Sequence, residues 1–342
     1  MKILTIDVGK GTQDILLYDT TKNIENSIKL VLPSPTQLMA RQIEKTSTDL
    51  FIKGEIMGGG PISQAISTHI NNGYDVFMTE TSARTIKDDL ERVRQKGIEI
   101  ISNNAKPKIE NFTTLETKDI NLELLRNALK QYQIDLEFDY IGIAVQDHGY
   151  QEGMGDRNFR FQKIKEQLNN PKRPEELIYH NNIPEYFTRM QAVQKTLKKY
   201  NTYIMDSKFA SVCGATMDPQ VQKLKNYIIM DIGNGHTLSA AIKNEKIVGV
   251  YEHHTNALTP ESIEEYNQKL ANAILTHEEI HEDNGHGAHV MEALPEIEKT
   301  VVTGPNRTLI DKTNMDVYHA APAGDVMMTG PAGLIKAISS KI

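Results

Sequence analysis

Two segments of this sequence are equipped for chemistry by residue type and spacing: Asp7-x-Gly9-x-Gly11 and Asp231-x-Gly233-x-Gly235-x-Thr237. One occurs in each half, and each is flanked by apolar runs. Glycine lacks a Cβ, so a tight turn built on it can present consecutive backbone N–H groups to phosphate oxygens. An aspartate at the end of the preceding strand can hold magnesium, through water in most cases, because magnesium keeps several of its waters. Two such turns facing one another could clamp a polyphosphate from both sides. A single copy reads equally well as a hairpin with turn glycines; the repetition favours the phosphate reading.

The elements that must position these turns follow from hydrophobic periodicity. Ile3–Ile6, Ile15–Tyr18 and Ile28–Leu32 read as a strand meander, and the prolines at 33 and 35 break the pattern. Tyr227–Met230, Leu238–Ile242 and Ile247–Tyr251 repeat that meander in the second half. Between them, strands at Leu50–Ile52, Asp75–Thr79, Ile98–Ile101, Tyr140–Val145 and Thr202–Met205 alternate with helical spacings at Ile62–Ile70, Ile86–Val93, Asp119–Tyr132 and Pro184–Tyr200. Such alternation implies parallel βαβ units. Residues 151–173 are polar and basic and read as loop with a short helix. A helix from Pro260 to about Leu275, a strand at Thr300–Thr303 and a helix at Gly330–Ile338 complete the chain.

With its motifs in this order, the sequence resembles the superfamily of actin, Hsp70-type chaperones and sugar kinases. Asp7–Asp14 is similar to the first phosphate motif and Asp231–Thr237 to the second. Asp206-Ser-Lys-Phe-Ala-Ser-Val-Cys-Gly-Ala215 and Asp325–Ile338 resemble the two connecting helices, whose small residues let them cross. Val301–Arg307 is similar to the turn beside adenosine, with Gly304-Pro305 where the superfamily usually has two glycines. Ile143–Gly149 resembles the sugar-kinase segment that lines the catalytic cleft.

The resemblance implies an α/β, two-lobed actin-like (ribonuclease H-like) ATPase fold, each lobe a mixed sheet with helices on both faces. Lobe I would span 1–206 with an insertion at about 33–116, lobe II 207–325, and residues 326–342 would form a helix returning to lobe I. It also implies Mg-ATP as cofactor. Asp7 and Asp231 would hold the magnesium. Gly9, Lys10, Gly11, Thr12 and Gln13, with Gly233, Asn234, Gly235, His236 and Thr237, would surround the phosphates, and Gly304, Pro305 and Gly330 the nucleoside. Asp147 and Asp206 are the candidates to orient an attacking water or hydroxyl, with Gln146 behind them. The functions implied are an ATPase serving as a nucleotide-driven switch or enzyme activator, or a kinase acting on a small hydroxyl or carboxyl acceptor. More narrowly, the chain resembles a microbial family of unknown function catalogued as a pyruvate formate-lyase activating enzyme. The radical chemistry in that description needs a three-cysteine cluster motif, and this chain has only Cys213.

Other constellations compete. His277-Glu-Glu-Ile-His281 matches the zinc-protease pattern, in which helical spacing places both histidines on one face with Glu278 as base. Gly285, His286 and His289 miss the offsets of the extended motif, and Asn284-Gly285 ends the segment, so a solvated helix end competes with a zinc-dependent hydrolase. Glu252-His253-His254 closes a strand and either lines the cleft or is a polar strand end. Met57-Gly-Gly-Gly-Pro61 opens a helix that could bind an anion at its N-terminus, or is a tight strand-to-helix turn.

Composition narrows the classes. The chain of 342 residues has room for two domains. A net charge of −7, no tryptophan and 6% aromatic residues argue against nucleic acid as a partner. No apolar run is long enough for a membrane span and no targeting peptide is recognisable, while one cysteine suits a reducing compartment. A cytoplasmic protein is expected, with a nucleotide and a protein or small-molecule acceptor as partners and a homodimer as one allowed assembly.

Overall fold

A computed structural model describes residues 1–108 and 110–342. The chain opens with β1 (Lys2–Val8), β2 (Thr12–Asp19) and β3 (Ile28–Pro33). β4 (Asp49–Gly54), β5 (Val76–Thr79), β6 (Ile98–Ile101) and β7 (Phe112–Thr117) follow, then β8 (Tyr140–Val145), β9 (Tyr179–His180) and β10 (Thr202–Met205). The second half holds β11 (Asn226–Ile232), β12 (His236–Lys243), β13 (Lys246–His254), β14 (Gly287–Val290), β15 (Lys299–Thr303) and β16 (Val317–His319).

Two of the sheets are built on one plan. The first has the order β3-β2-β1-β8-β10-β9 and the second β14-β13-β12-β11-β15-β16. In each, three antiparallel strands form a meander, and its first strand then pairs in parallel with a later one: β1 with β8, β11 with β15. Asp7 lies opposite Asp14 and Asp231 opposite Leu238, so each glycine turn caps the first hairpin of its sheet. This duplicated plan is the two-lobed, actin-like α/β fold that the motifs implied. The parallel strands are continuous apolar runs because both faces are covered; Ile141, Ile143 and Val145 of β8 are completely buried.

The helices Ser207–Ala215 and Thr329–Ser339 cross between the two sheets. Their approach depends on missing side chains. A Cβ on Gly333 would stand 1.9 Å from the Ala210 carbonyl oxygen, and one on Gly214 would stand 1.8 Å from that of Thr329. Cys213 lies buried in this crossing.

A third sheet, of order β6-β5-β4-β7 and parallel throughout, stands between β3 and β8 in the chain. Several elements here go beyond the periodicity. The prolines after β3 begin a helix instead of only ending a strand: Ser34 accepts from the Gln37 amide and Pro35 occupies the first position of Pro35–Glu44, where proline lacks nothing the helix needs. β7 and β14 were not legible in the sequence pattern. Residues 156–167 form a full helix whose Phe159, Arg160, Phe161 and Ile164 are buried, while the expected helix at Pro184–Tyr200 is confined to Thr188–Thr196. Among the described residues, no helix is long and apolar enough to cross a membrane.

The helix crossing yields a direct expectation. Gly333→Val should lower stability by about 3 kcal/mol or more, because the added branch meets backbone and not a side chain that can turn away. Urea unfolding measures this; a change under about 1 kcal/mol would show that the helices can separate.

Candidate functional site: an interlobe cleft

Both glycine turns open onto one cleft of about 460 Å³, within the usual range for a small-molecule site. They are closed in the same way. The Gly9 amide donates to the Thr12 carbonyl at 2.9 Å, and the Gly233 amide donates to that of His236 at 3.1 Å. The turns also touch: a Cβ on Gly11 would come within 2.8 Å of Asn234 Nδ2. Gly304 packs behind the second turn with φ +94°, and a Cβ there would meet the Ile232 carbonyl at 2.4 Å. Asn306 holds this arrangement by donating from its side chain to the Gly233 carbonyl at 3.0 Å.

Of the residues singled out from sequence, the cleft is lined by Asp7, Gly9, Lys10, Thr12, Asp231, Gly233, Asn234, Gly235, His236, Gly304, Pro305, Gly330, Gln146 and Asp147. Gly11 stands at the contact between the two turns, while Gln13 and Thr237 lie outside that lining. Gln13 donates to the Pro33 carbonyl, and buried Thr237 shares a hydroxyl contact with Thr255 at 3.0 Å. These residues shape the turns.

The acidic residues divide into satisfied and unsatisfied groups. Asp7 and Asp14 are both nine-tenths buried or more, and one carboxylate oxygen of each has no hydrogen-bond partner. Burial, reinforced by Asp14 and Asp231, pushes the Asp7 carboxyl well above its ordinary range. Burial likewise raises Asp14 to about 7, with Asp325 and Asp231 adding to the effect. Asp231 is paired with Lys208 Nζ at 2.6 Å, and the same ammonium donates to the His236 carbonyl. Lys208 was quoted from sequence only as part of a connecting helix; no local pattern marked its role. Two raised carboxyls with orphaned oxygens, next to a third carboxylate, form a donor set suited to a hard divalent cation.

The two residues expected to orient an attacking group are otherwise engaged. Asp147 Oδ1 accepts from the Gly149 amide, and its Oδ2 accepts from the amides of Arg189 and Met190, all within 2.9 Å. It anchors backbone. Asp206 is the N-cap of its helix and, facing away from the cleft lining, pairs with Arg160 at 2.7 Å. Gln146 reaches the lining but donates its amide to Glu252 at 2.7 Å. The oxygens of Asp147 and Asp206, the two candidates for orienting an attacking water or hydroxyl, thus already carry structural bonds.

Arg160 is the centre of this arrangement. Only 3% of its side chain is exposed. It donates to Asp206, to both oxygens of Glu252 on β13, and to the Asp147 carbonyl. Burial alone would disfavour its charge, but Asp206 and Glu252 hold the guanidinium firmly protonated. Glu252 in turn stays ionised despite burial because Arg160 faces it. A second arginine, Arg189, grips Asp119 with two nitrogens at 2.7 and 2.9 Å and donates to the Gln146 carbonyl. Asp119 also accepts from the Gly58 amide. The Met57–Pro61 loop is a tight turn into the helix Gly60–Asn71, with Gly59 against the Thr85 carbonyl, and it contributes to the cleft wall.

The zinc-protease pattern is not assembled. His277 and His281 stack with ring centroids 5.6 Å apart on a helix of only six residues, and Glu278 faces solvent. His289 Nε2 donates to the Leu168 carbonyl instead of joining them. Among the described residues, the group of metal-ligand type is a different one, His148, His236 and His286.

Comparison with known proteins identifies the family. The profile of the family described as "Putative pyruvate format-lyase activating enzyme (DUF1786)" matches residues 57–309, well over half of the chain, and the chain belongs to that family. No curated protein matches it. Solved structures similar to it include a ROK family glucokinase from Streptomyces griseus in complex with glucose and AMPPNP, at 9% identity and TM-score 0.36, covering 99% of each chain. The ethanolamine utilization protein EutJ from Carboxydothermus hydrogenoformans is similar at 11% identity and TM-score 0.35, over 98% of this chain and 89% of that one. An inorganic polyphosphate/ATP-glucomannokinase from Arthrobacter sp. strain KM aligns at 10% identity and TM-score 0.36 over 99% of each.

Two measurements test this electrostatic description. Arg160→Met should destabilise the protein by about 3–5 kcal/mol, because it leaves Asp206 and Glu252 buried without a counter-charge; denaturant unfolding reads the loss. Asp14 binds its proton more tightly folded than unfolded. In cation-free buffer its contribution should therefore weaken stability as pH rises from about 4 to 7. Asp14→Asn should flatten that decline by a few kcal/mol, since each pKa unit is worth about 1.4 kcal/mol. An unchanged pH profile would contradict the assignment.

Proposed function

We propose that this member of the family binds Mg-ATP between its two lobes and hydrolyses it as a nucleotide-driven switch or activator of a partner. The observation that carries the reading is the meeting of the two hairpin turns across one cleft, with an orphaned Asp7 oxygen beside them. In this reading lobe I (1–206) and lobe II (207–325) each supply one turn, and residues 326–342 link them. Gly9 and Gly233 use their amides to close the turns, which leaves the amides of Lys10, Gly11, Asn234 and Gly235 for phosphate oxygens. Lys10 and Lys208 would add positive charge.

The donor set of Asp7, Asp14 and Asp231 fits magnesium, which supplies charge neutralisation of the phosphates when bound. Asp7 and Asp14 would orient its waters; Asp231, already paired with Lys208, would set the position of the second turn. Gly304, Pro305 and Gly330 would border the nucleoside. Phosphoryl transfer asks mainly for positioning and neutralisation, so the engagement of Asp147 and Asp206 in backbone and ion-pair contacts does not disable this site.

A kinase reading has one observation in its favour. Asp88 lines the same cleft, and burial, with Asp147 nearby, raises its carboxyl to about 6. Such a group can take a proton from an acceptor hydroxyl near neutral pH. The switch reading expects ATP turnover without any added acceptor; the kinase reading expects turnover to depend on one and to fall in Asp88→Asn.

Asp7→Asn separates site from scaffold. It should reduce nucleotide turnover by orders of magnitude while leaving the metal-free protein as stable as wild type or more so, because burial already disfavours the charged form of Asp7 and the variant loses no ion pair. Wild-type turnover in the folded variant would take Asp7 out of the site.

A further inference from the structure

Four histidines gather beside the cleft, and the nucleotide reading uses none of their imidazoles. His236 begins β12 and lies directly opposite His254 of β13. His286 precedes β14, where its amide donates to the Glu252 carbonyl at 2.8 Å. His148 arrives from the other sheet, just beyond β8. The ring centroids of His236, His254 and His286 are each 4.9 Å apart, and those of His148 and His286 are 5.3 Å apart. The potential ligand nitrogens of His148, His236 and His286 all lie within 4.8 Å of one another.

We propose that His148, His236 and His286 form a binding site for a divalent transition metal of zinc type, bridging the two lobes and opening onto the cleft. His148 Nε2 and His286 Nε2 are 3.2 Å apart. Two nitrogens bound to zinc at about 2.0–2.1 Å in tetrahedral geometry are themselves about 3.3 Å apart, so this pair already has the spacing of one edge of such a site. His286 is 1% exposed, and its Nε2 faces that of His148.

The chemistry of the donors and the surroundings selects the metal. Three imidazoles suit zinc and its neighbours, not magnesium or calcium, which take oxygen ligands. Glu252 lies beneath the cluster, fixed by Arg160 and Gln146, and supplies negative charge close by. His148 and His236 line the cleft while His286 stands behind them. The remaining coordination position would therefore face the cleft, as in zinc sites with three protein ligands and an exchangeable fourth. His148 follows a strand of one sheet, while His236 belongs to the other and His286 immediately precedes a strand of it, so metal occupancy would tie the lobes together.

The test needs no nucleotide, so its result is distinct from that of the ATP reading. Apo protein titrated with zinc alone should bind one equivalent, and X-ray absorption of the wild-type complex should show three imidazole ligands. His148→Gln and His286→Gln should each weaken binding by roughly 100-fold or more, since even the partners of metal ligands contribute 10–100-fold. His277→Ala should bind zinc as wild type does. Absence of zinc uptake, fewer than three imidazoles in the wild-type spectrum, or loss of zinc in His277→Ala with retention in both glutamine variants would overturn the proposal. Should His286→Gln fail to fold, the partly exposed His148→Gln decides the variant arm.

Discussion

A guanidinium with 3% of its surface exposed, held between two carboxylates from different parts of the chain, fixes the geometry on which the cleft depends. Arg160 reaches the N-cap of one crossing helix through Asp206 and the third strand of the second meander through Glu252. It also reaches the end of β8 through the Asp147 carbonyl. A buried charge of this kind is costly to create and very costly to leave unpaired. In the observed position of the two sheets it satisfies all three partners, and in that position the glycine turns face each other.

The division of labour among the acidic residues follows from the same constraint. Carboxylates that accept backbone amides or meet an arginine are fixed parts of the scaffold; Asp147, Asp206, Asp119 and Glu252 belong to this group. Asp7 and Asp14 are left with orphaned oxygens and raised pKa values. A fold that satisfies four buried carboxylates and leaves two unsatisfied in its cleft has concentrated unfavourable energy where a cation can relieve it. The histidine cluster shows the same pattern with softer donors.

How much of this the sequence revealed depends on the range of each interaction. The meanders and the glycine turns are local patterns that spacing shows, and the places of the crossing helices followed from the resemblance to the superfamily. The helix after Ser34 was obscured because proline ends a strand and begins a helix with the same residue. The site's side-chain pairings were not legible: Arg160 meets Glu252 92 positions away, and His148 meets His286 138 positions away. The His277–His281 motif shows the converse. Its spacing is correct for a metal pair, but the helix ends too soon and its glutamate faces water. Asp147 lines the cleft, yet one of its oxygens is taken up by the amides of residues 189 and 190, which no neighbouring pattern announces.

The central claim is that the paired turns hold a nucleotide with its magnesium. A crystal structure of the protein with magnesium and a non-hydrolysable ATP analogue tests it most directly. The account predicts phosphates lying between Gly9–Thr12 and Gly233–His236, with the cation on the Asp7 and Asp14 side of the cleft. An analogue bound elsewhere, or a cleft that stays free of it at millimolar concentration, would contradict the account.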